Sequence, residues 1–144
     1  MDEFRKLERF VEELPGRLEE TTFRALKYSA EKIHDDLARI FKTEGRSYGA
    51  EWSPLKEAYL RWKLRKGYSE KKLHRTTTLK QSFTYIVSDE EAVIGTPVPY
   101  AIFHEYGTKR GIPQRPFMTP VFRKFVEGGY MQRAFRKAFR EVFG

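Results

Sequence analysis

The sequence predicts an α+β fold in which a long N-terminal helix packs on a small antiparallel sheet, with further helices at the C-terminal end. Three observations point there. Apolar residues recur at steps of three and four from Phe4 to Phe41, two short β-prone runs flank an acidic turn at residues 89–91, and helical patterns return after residue 118. Elements of this kind bury their apolar faces against one another in a single core. At 144 residues the chain fits one domain, 1–144, read as a helical arm over 1–15 and a core over 16–144.

Phe4, Leu7, Val11 and Leu14 give residues 2–14 a narrow apolar seam, and Pro15 with Gly16 is expected to stop that helix. A longer helix follows, with Phe23, Leu26, Ala30, Ile33, Leu37, Ile40 and Phe41 on one face, ending before Gly45. His34 and Asp35 fall at the edge of that stripe. TEGRSYGAEW reads as a loop by its Gly and small polar residues. Ser53 followed by Pro54 is a helix-start signal, Leu55, Tyr59 and Trp62 share a face, and Gly67 closes that helix. Thr78 with Gln81 has capping-box spacing for a short turn. FTYIVS, DEE and AVIGT form a hairpin over 83–96, which Pro97 and Pro99 end. YAIFHEYG has helical composition, and Gly107 is placed for a left-handed C-cap. GIPQRP is held extended because residues before proline avoid the helical region. Two helical pieces then divide at Gly128 and Gly129, with Met131, Phe135, Phe139 and Val142 on one face of the second.

Charge is uneven. The net +8 is made of 28 basic and 20 acidic residues, and the excess sits in residues 45–88. There KEAYLRWKLRKGYSEKKLHR interleaves Tyr59, Trp62 and Tyr68 with basic side chains, a pattern suited to nucleic acid or an acidic protein surface as well as to a solvated helix face. Lys63, Arg65, Lys66, Lys71 and Lys72 are the candidate contacts. None of the named recognition modules is legible. The load of 12 Phe, 8 Tyr and 2 Trp supplies material for both core and interface.

Catalytic constellations are not found. With no cysteine, disulfides, thiolate chemistry and Cys-based zinc sites are excluded. His104 stands beside Glu105, but the position four residues on is Thr108, so the two-histidine helical zinc motif fails. Ser53 with Lys56 and Ser69 with Lys72 have S-x-x-K spacing without the companion elements of serine acylases. Neither phosphate-cradling glycine loop occurs. The reading is therefore no enzyme, no cofactor and no metal. The N-terminal stretch mixes charge with apolar residues, unlike a signal peptide or a membrane span, so the expected site of synthesis is the cytoplasm.

EWSPLKEAYLRWKLRKG, LHRTTTLKQSF, AVIGTPVPYAIFHEYGT and IPQRPFMTP, in that order and spacing, resemble the phage virion morphogenesis family, the tail-completion proteins of tailed bacteriophages and prophages. The likeness spans roughly residues 50–120 and departs from the family pattern at Thr77, where glycine is usual. The resemblance implies a non-enzymatic structural protein of the virion at the head-tail junction, present in the host cytoplasm during assembly, that completes the tail or neck. It implies a homo-oligomeric ring, with a hexamer the simplest match to a tail tube, contacting neck, connector or tail proteins and no membrane. On that reading Tyr100, Phe103 and Tyr106 anchor a packed surface, His104 and Glu105 bond across a seam, and Arg115 and Phe117 are presented to a neighbour. Each has an internal competitor: Arg115 pairing with Glu105, Phe117 in the core. Gly107 serves backbone geometry either way. Basic side chains of the middle third would face DNA in a channel or an acidic connector surface. The alternative is a nucleic-acid-binding module that uses the 56–75 patch directly.

Overall fold

In the computed structural model, which describes residues 2–54, 57–67 and 78–144, the core is built along one long helix. The elements are α1 (Asp2–Thr43), α2 (Glu57–Arg65), α3 (Thr78–Gln81), β1 (Thr84–Val87), β2 (Ala92–Gly95), α4 (Ala101–Tyr106), α5 (Met118–Glu127) and α6 (Tyr130–Phe143), with a 3-10 turn at Arg46–Tyr48. The α+β class, the hairpin and the α5/α6 division follow the sequence expectation.

Pro15 does not stop the first helix, contrary to the sequence expectation. α1 runs unbroken through Pro15 and Gly16, so arm and long helix are one rod of 42 residues, about 63 Å long. Proline removes one intrahelical donor and crowds the preceding turn. Residues 2–20 have almost no tertiary packing to bend the chain elsewhere, and the strong helix formers around Pro15 carry the helix across. An ion pair between Arg17 and Glu13, at 3.1 Å, bridges the proline from either side.

At its other end α1 stops as expected. Glu44 and Gly45 both take positive φ, and the Gly45 amide donates to the Ile40 carbonyl, the reversal that closes a helix. A Cβ on Gly45 would lie 1.9 Å from the Ala50 carbonyl oxygen, so only glycine fits. The turn beyond is tied back by Asp36, a buried carboxylate that accepts from the Tyr48 hydroxyl at 2.9 Å and from Lys32 at 3.0 Å. Burial, then that bond to Asp36, pushes the Tyr48 phenol up.

Phe41 occupies the centre of the core. Its ring meets Trp52, Phe83 and Phe117 at centroid distances of 5.3, 5.8 and 5.6 Å, while Leu37, Ile40, Leu79 and Val121 close the space around them. The two strands pair antiparallel, Thr84 opposite Gly95 and Val87 opposite Ala92. Their inner face meets α1, where His34 contacts the Phe83 carbonyl at 3.0 Å and packs edge-on against Tyr85. Ile86 and Val93 stand opposite each other on the outer, exposed face.

α6 returns antiparallel along the middle of α1. Met131 lies against Ser29, Glu141 accepts from Tyr28 and Arg24, and Arg17 sits over the Phe143 ring. Ala138, rather than the Phe139 of the expected face, is the buried centre of α6, since close approach of two helices favours a small side chain and Phe139 is turned outward. Residues 2–16 project past this pair as an arm of about 22 Å. Ser53 and Pro54 lie outside regular structure, and residues 55 and 56, where the expected helix would begin, lie outside the described residues. Leu55, the Tyr59 side chain, Tyr68, Lys71, Lys72 and Thr77 lie outside the described residues.

Candidate partner-contact site

The stretch from Tyr100 to Thr119 is a knot of backbone held by two buried charged side chains. α4 is too short to be stable alone, and Gly107 ends it with φ 71° and ψ 174°, donating its amide to the Phe103 carbonyl at 2.8 Å. The positive φ agrees with the sequence reading, but the residue is extended and not left-handed helical, a combination open essentially to glycine alone. A Cβ there would press to 3.1 Å on Gln114 N and on the Ile112 carbonyl oxygen. The chain then loops out and comes back, the Arg115 amide bonding to the His104 carbonyl at 2.7 Å.

Glu105 points inward from α4. Its Oε2 accepts from the amides of Phe117 and Met118 at 2.7 and 3.0 Å, and its Oε1 accepts from the amide and the hydroxyl of Thr119 at 2.9 and 2.8 Å. These amides belong to the first turn of α5 and have no intrahelical acceptor. A carboxylate from a different helix thus does the work of an N-cap and meets the positive end of the α5 dipole.

Arg115 forms the second tie. It is 7% exposed, and its Nε and Nη2 donate to the carbonyls of Ser53 and Pro54 at 3.0 and 3.1 Å. The Trp52 indole donates to the Pro116 carbonyl at 2.7 Å. The loop before α5 is therefore fastened to the segment before α2 at three points, over a separation of more than 60 residues.

The seven residues expected at an interface divide accordingly. Glu105, Arg115 and Phe117 are buried inside the fold, which corrects the reading that they face a neighbour. The internal alternative for Phe117 is what the structure has, in contact with Phe41 and Phe83. Tyr100, Phe103 and Tyr106 are exposed, Tyr106 by 70%. His104 is half-buried, edge-on to Tyr100, and its buried Nδ1 has no partner among the described residues. Burial, and then the Arg115 charge, hold its pKa below the usual histidine range, so the ring is neutral at pH 7. Lys63 is 1% exposed and makes its interactions within the fold, which removes it from the set of accessible DNA contacts; Arg65 and Lys66 are exposed. Sequence reasoning missed Trp52 and the capping role of Glu105, because a partner 12 residues away leaves no local spacing signal.

Among the described residues no cluster of three His, Asp or Glu side chains could hold a metal, and no helix is long and apolar enough to cross a membrane. The described residues thus present a projecting helix and exposed aromatic side chains on a cross-tied body, surfaces open to a partner. Over residues 2–135 the chain matches the phage virion morphogenesis family, and it belongs to that family. No curated protein and no solved structure matches it. Membership makes it a bacteriophage structural and assembly protein, associated with the virion.

Proposed function

We propose that this protein acts without catalysis at the head-tail junction, completing the tail or neck as a ring of identical subunits that joins capsid to tail. One observation carries the reading: the arm of α1 holds an apolar seam that nothing among the described residues covers. A surface of that kind is an interaction site. Contacts between two different surfaces of identical subunits repeat by rotation and close into a ring when the angle allows, and sixfold closure is the simplest match to a tail tube. Tyr100, Phe103 and Tyr106 supply a second surface for neck, connector or tail proteins, with His104 at its edge. Family membership supports the phage assembly setting, with the host cytoplasm as the place where subunits meet.

Native mass measurement over a concentration series, alone and with purified tails or connectors, tests this. A closed oligomer is the expected result, and a strict monomer throughout overturns it. The nucleic-acid alternative keeps Arg65 and Lys66 as exposed contacts. Salt-dependent DNA binding by the monomer, lost on neutralising both, would favour it.

A further inference from the structure

Among the described residues two apolar surfaces are left uncovered, one at the N-terminal end of α1 and one beside α5. On the arm, Phe4, Leu7, Val11, Leu14 and Leu18 alternate steps of three and four, the spacing by which one helix face meets a groove. Phe4, Leu7 and Val11 are 56%, 58% and 58% exposed. With Phe10 and Leu18 they present roughly 400–500 Å² of apolar surface, near the upper end of what a monomer leaves uncovered.

The second surface is a groove. Met118, Phe122 and Val126 stand at i, i+4 and i+8 on α5 beside a cavity of about 490 Å³. A second cavity, of about 380 Å³, opens between β2, α4 and the start of α5, lined by Ile102 and Tyr106. Met118 and Thr119 line both, so the two adjoin as a mainly apolar trough that also carries Glu105, Arg123 and Glu127. α5 packs on the C-terminal half of α1 through Phe41 and Phe117, whereas the arm is the opposite end of the same unbroken helix. An arm cannot reach the groove of its own chain.

Charge selects the occupant. Asp2 to Glu20 holds seven acidic and four basic residues, whereas the rest of the chain holds 24 basic and 13 acidic. Two arms repel, and an arm is attracted to the body of another copy. Arg123 and Glu127 both line the groove, so the attraction comes from the net charge of the body rather than from the groove wall. We infer that the arm of one copy lies, apolar seam down, in the α4/α5 groove of a second copy. Each chain then gives one arm and receives one, the heterologous contact that a ring requires. The inference rests on the ring reading and specifies its joint.

The chain has no cysteine, so single cysteines report contacts cleanly. Full-length Val11→Cys and Val126→Cys, both at exposed positions, are mixed and treated with a short bis-thiol crosslinker, with native mass recorded in parallel. The expected product is a mixed covalent dimer, at least fivefold over Val11→Cys mixed with Ile86→Cys on the outer hairpin face. Its yield falls as salt rises from about 50 to about 500 mM, because screening weakens charge attraction. Dominant Val11→Cys self-crosslinking overturns the inference, as arm would then pair with arm. Oligomers without the Val11→Cys/Val126→Cys product also overturn it but leave the ring standing. A monomer at every concentration, with tails or connectors present, overturns both.

Discussion

Replacing Glu105 by alanine removes both oxygens from the first turn of α5. The Phe117 amide, buried in the core, then has no acceptor, and leaving a buried donor unsatisfied costs about 1–3 kcal/mol. Loss of the cap on the Met118 and Thr119 amides adds about 1 kcal/mol, and loss of a negative charge at the helix N-terminus adds about 0.3–1 kcal/mol. With a small cavity where the carboxylate stood, the sum is about 3–5 kcal/mol out of a domain stability of about 5–15 kcal/mol. Urea unfolding followed by circular dichroism at pH 7 measures it directly. The melting temperature should fall by roughly 10–15 °C. Glu105→Gln keeps the shape and one acceptor oxygen, so it should lose about half as much. A Glu105→Ala protein within 1 kcal/mol of the parent would refute the capping argument, since solvent or a neighbour would then satisfy those amides equally well.

Gly107→Ala forces a side chain into positive φ and against the Ile112 carbonyl, so it should destabilise by about 2–3 kcal/mol in the same assay. His104 makes stability depend on pH. Its folded pKa lies below the unfolded value of about 6.5, so the unfolded chain binds the proton first as pH falls. Its contribution is whole above about pH 6.5 and declines from there down to the folded pKa; His104→Gln should flatten that slope, and an unchanged slope in unfolding titrations would count against it. Pro15→Ala restores a donor inside α1 and should raise amide protection over residues 11–19 while leaving the unfolding free energy of the body within about 0.5 kcal/mol. Hydrogen exchange by mass spectrometry separates those two effects.

Much of the fold was legible because its signals are local. The periodicity of Ile33, Leu37, Ile40 and Phe41, the acidic hairpin turn, and the glycine pair at Gly128 and Gly129 each specify an element within a few residues. Pro15 misled for the same reason. A breaker judged locally predicts a stop, yet an exposed arm gives the chain nothing to turn toward, so helix propensity on both sides prevails. The candidate site was half legible. The residue types of His104, Glu105, Arg115 and Phe117, read with Tyr100, Phe103 and Tyr106 as interface residues, leave their direction open, because it depends on contacts between Glu105 and residues 117–119 and between Arg115 and residues 53–54. Side-chain chemistry alone does not say whether a glutamate caps a helix in its own chain or meets a neighbouring one.

The inward turn of Glu105 and Arg115 also bears on what the surface can do. Four bonds from one carboxylate fix α4 against α5, and the Arg115 and Trp52 ties fix the loop between them to the chain ahead of α2. The apolar trough along α4 and α5 is therefore formed before anything occupies it, with Tyr106 and Met118 on walls that cannot slide independently. A preformed groove loses little conformational freedom on binding, and a helix already ordered over 42 residues loses little on its side. In the proposed joint both halves are formed before they meet, and that lets a modest apolar area yield a specific contact. The polar residues of the His-Glu to Arg-Pro stretch act in that proposed joint through the backbone they hold in place, while the exposed apolar residues supply the contact itself.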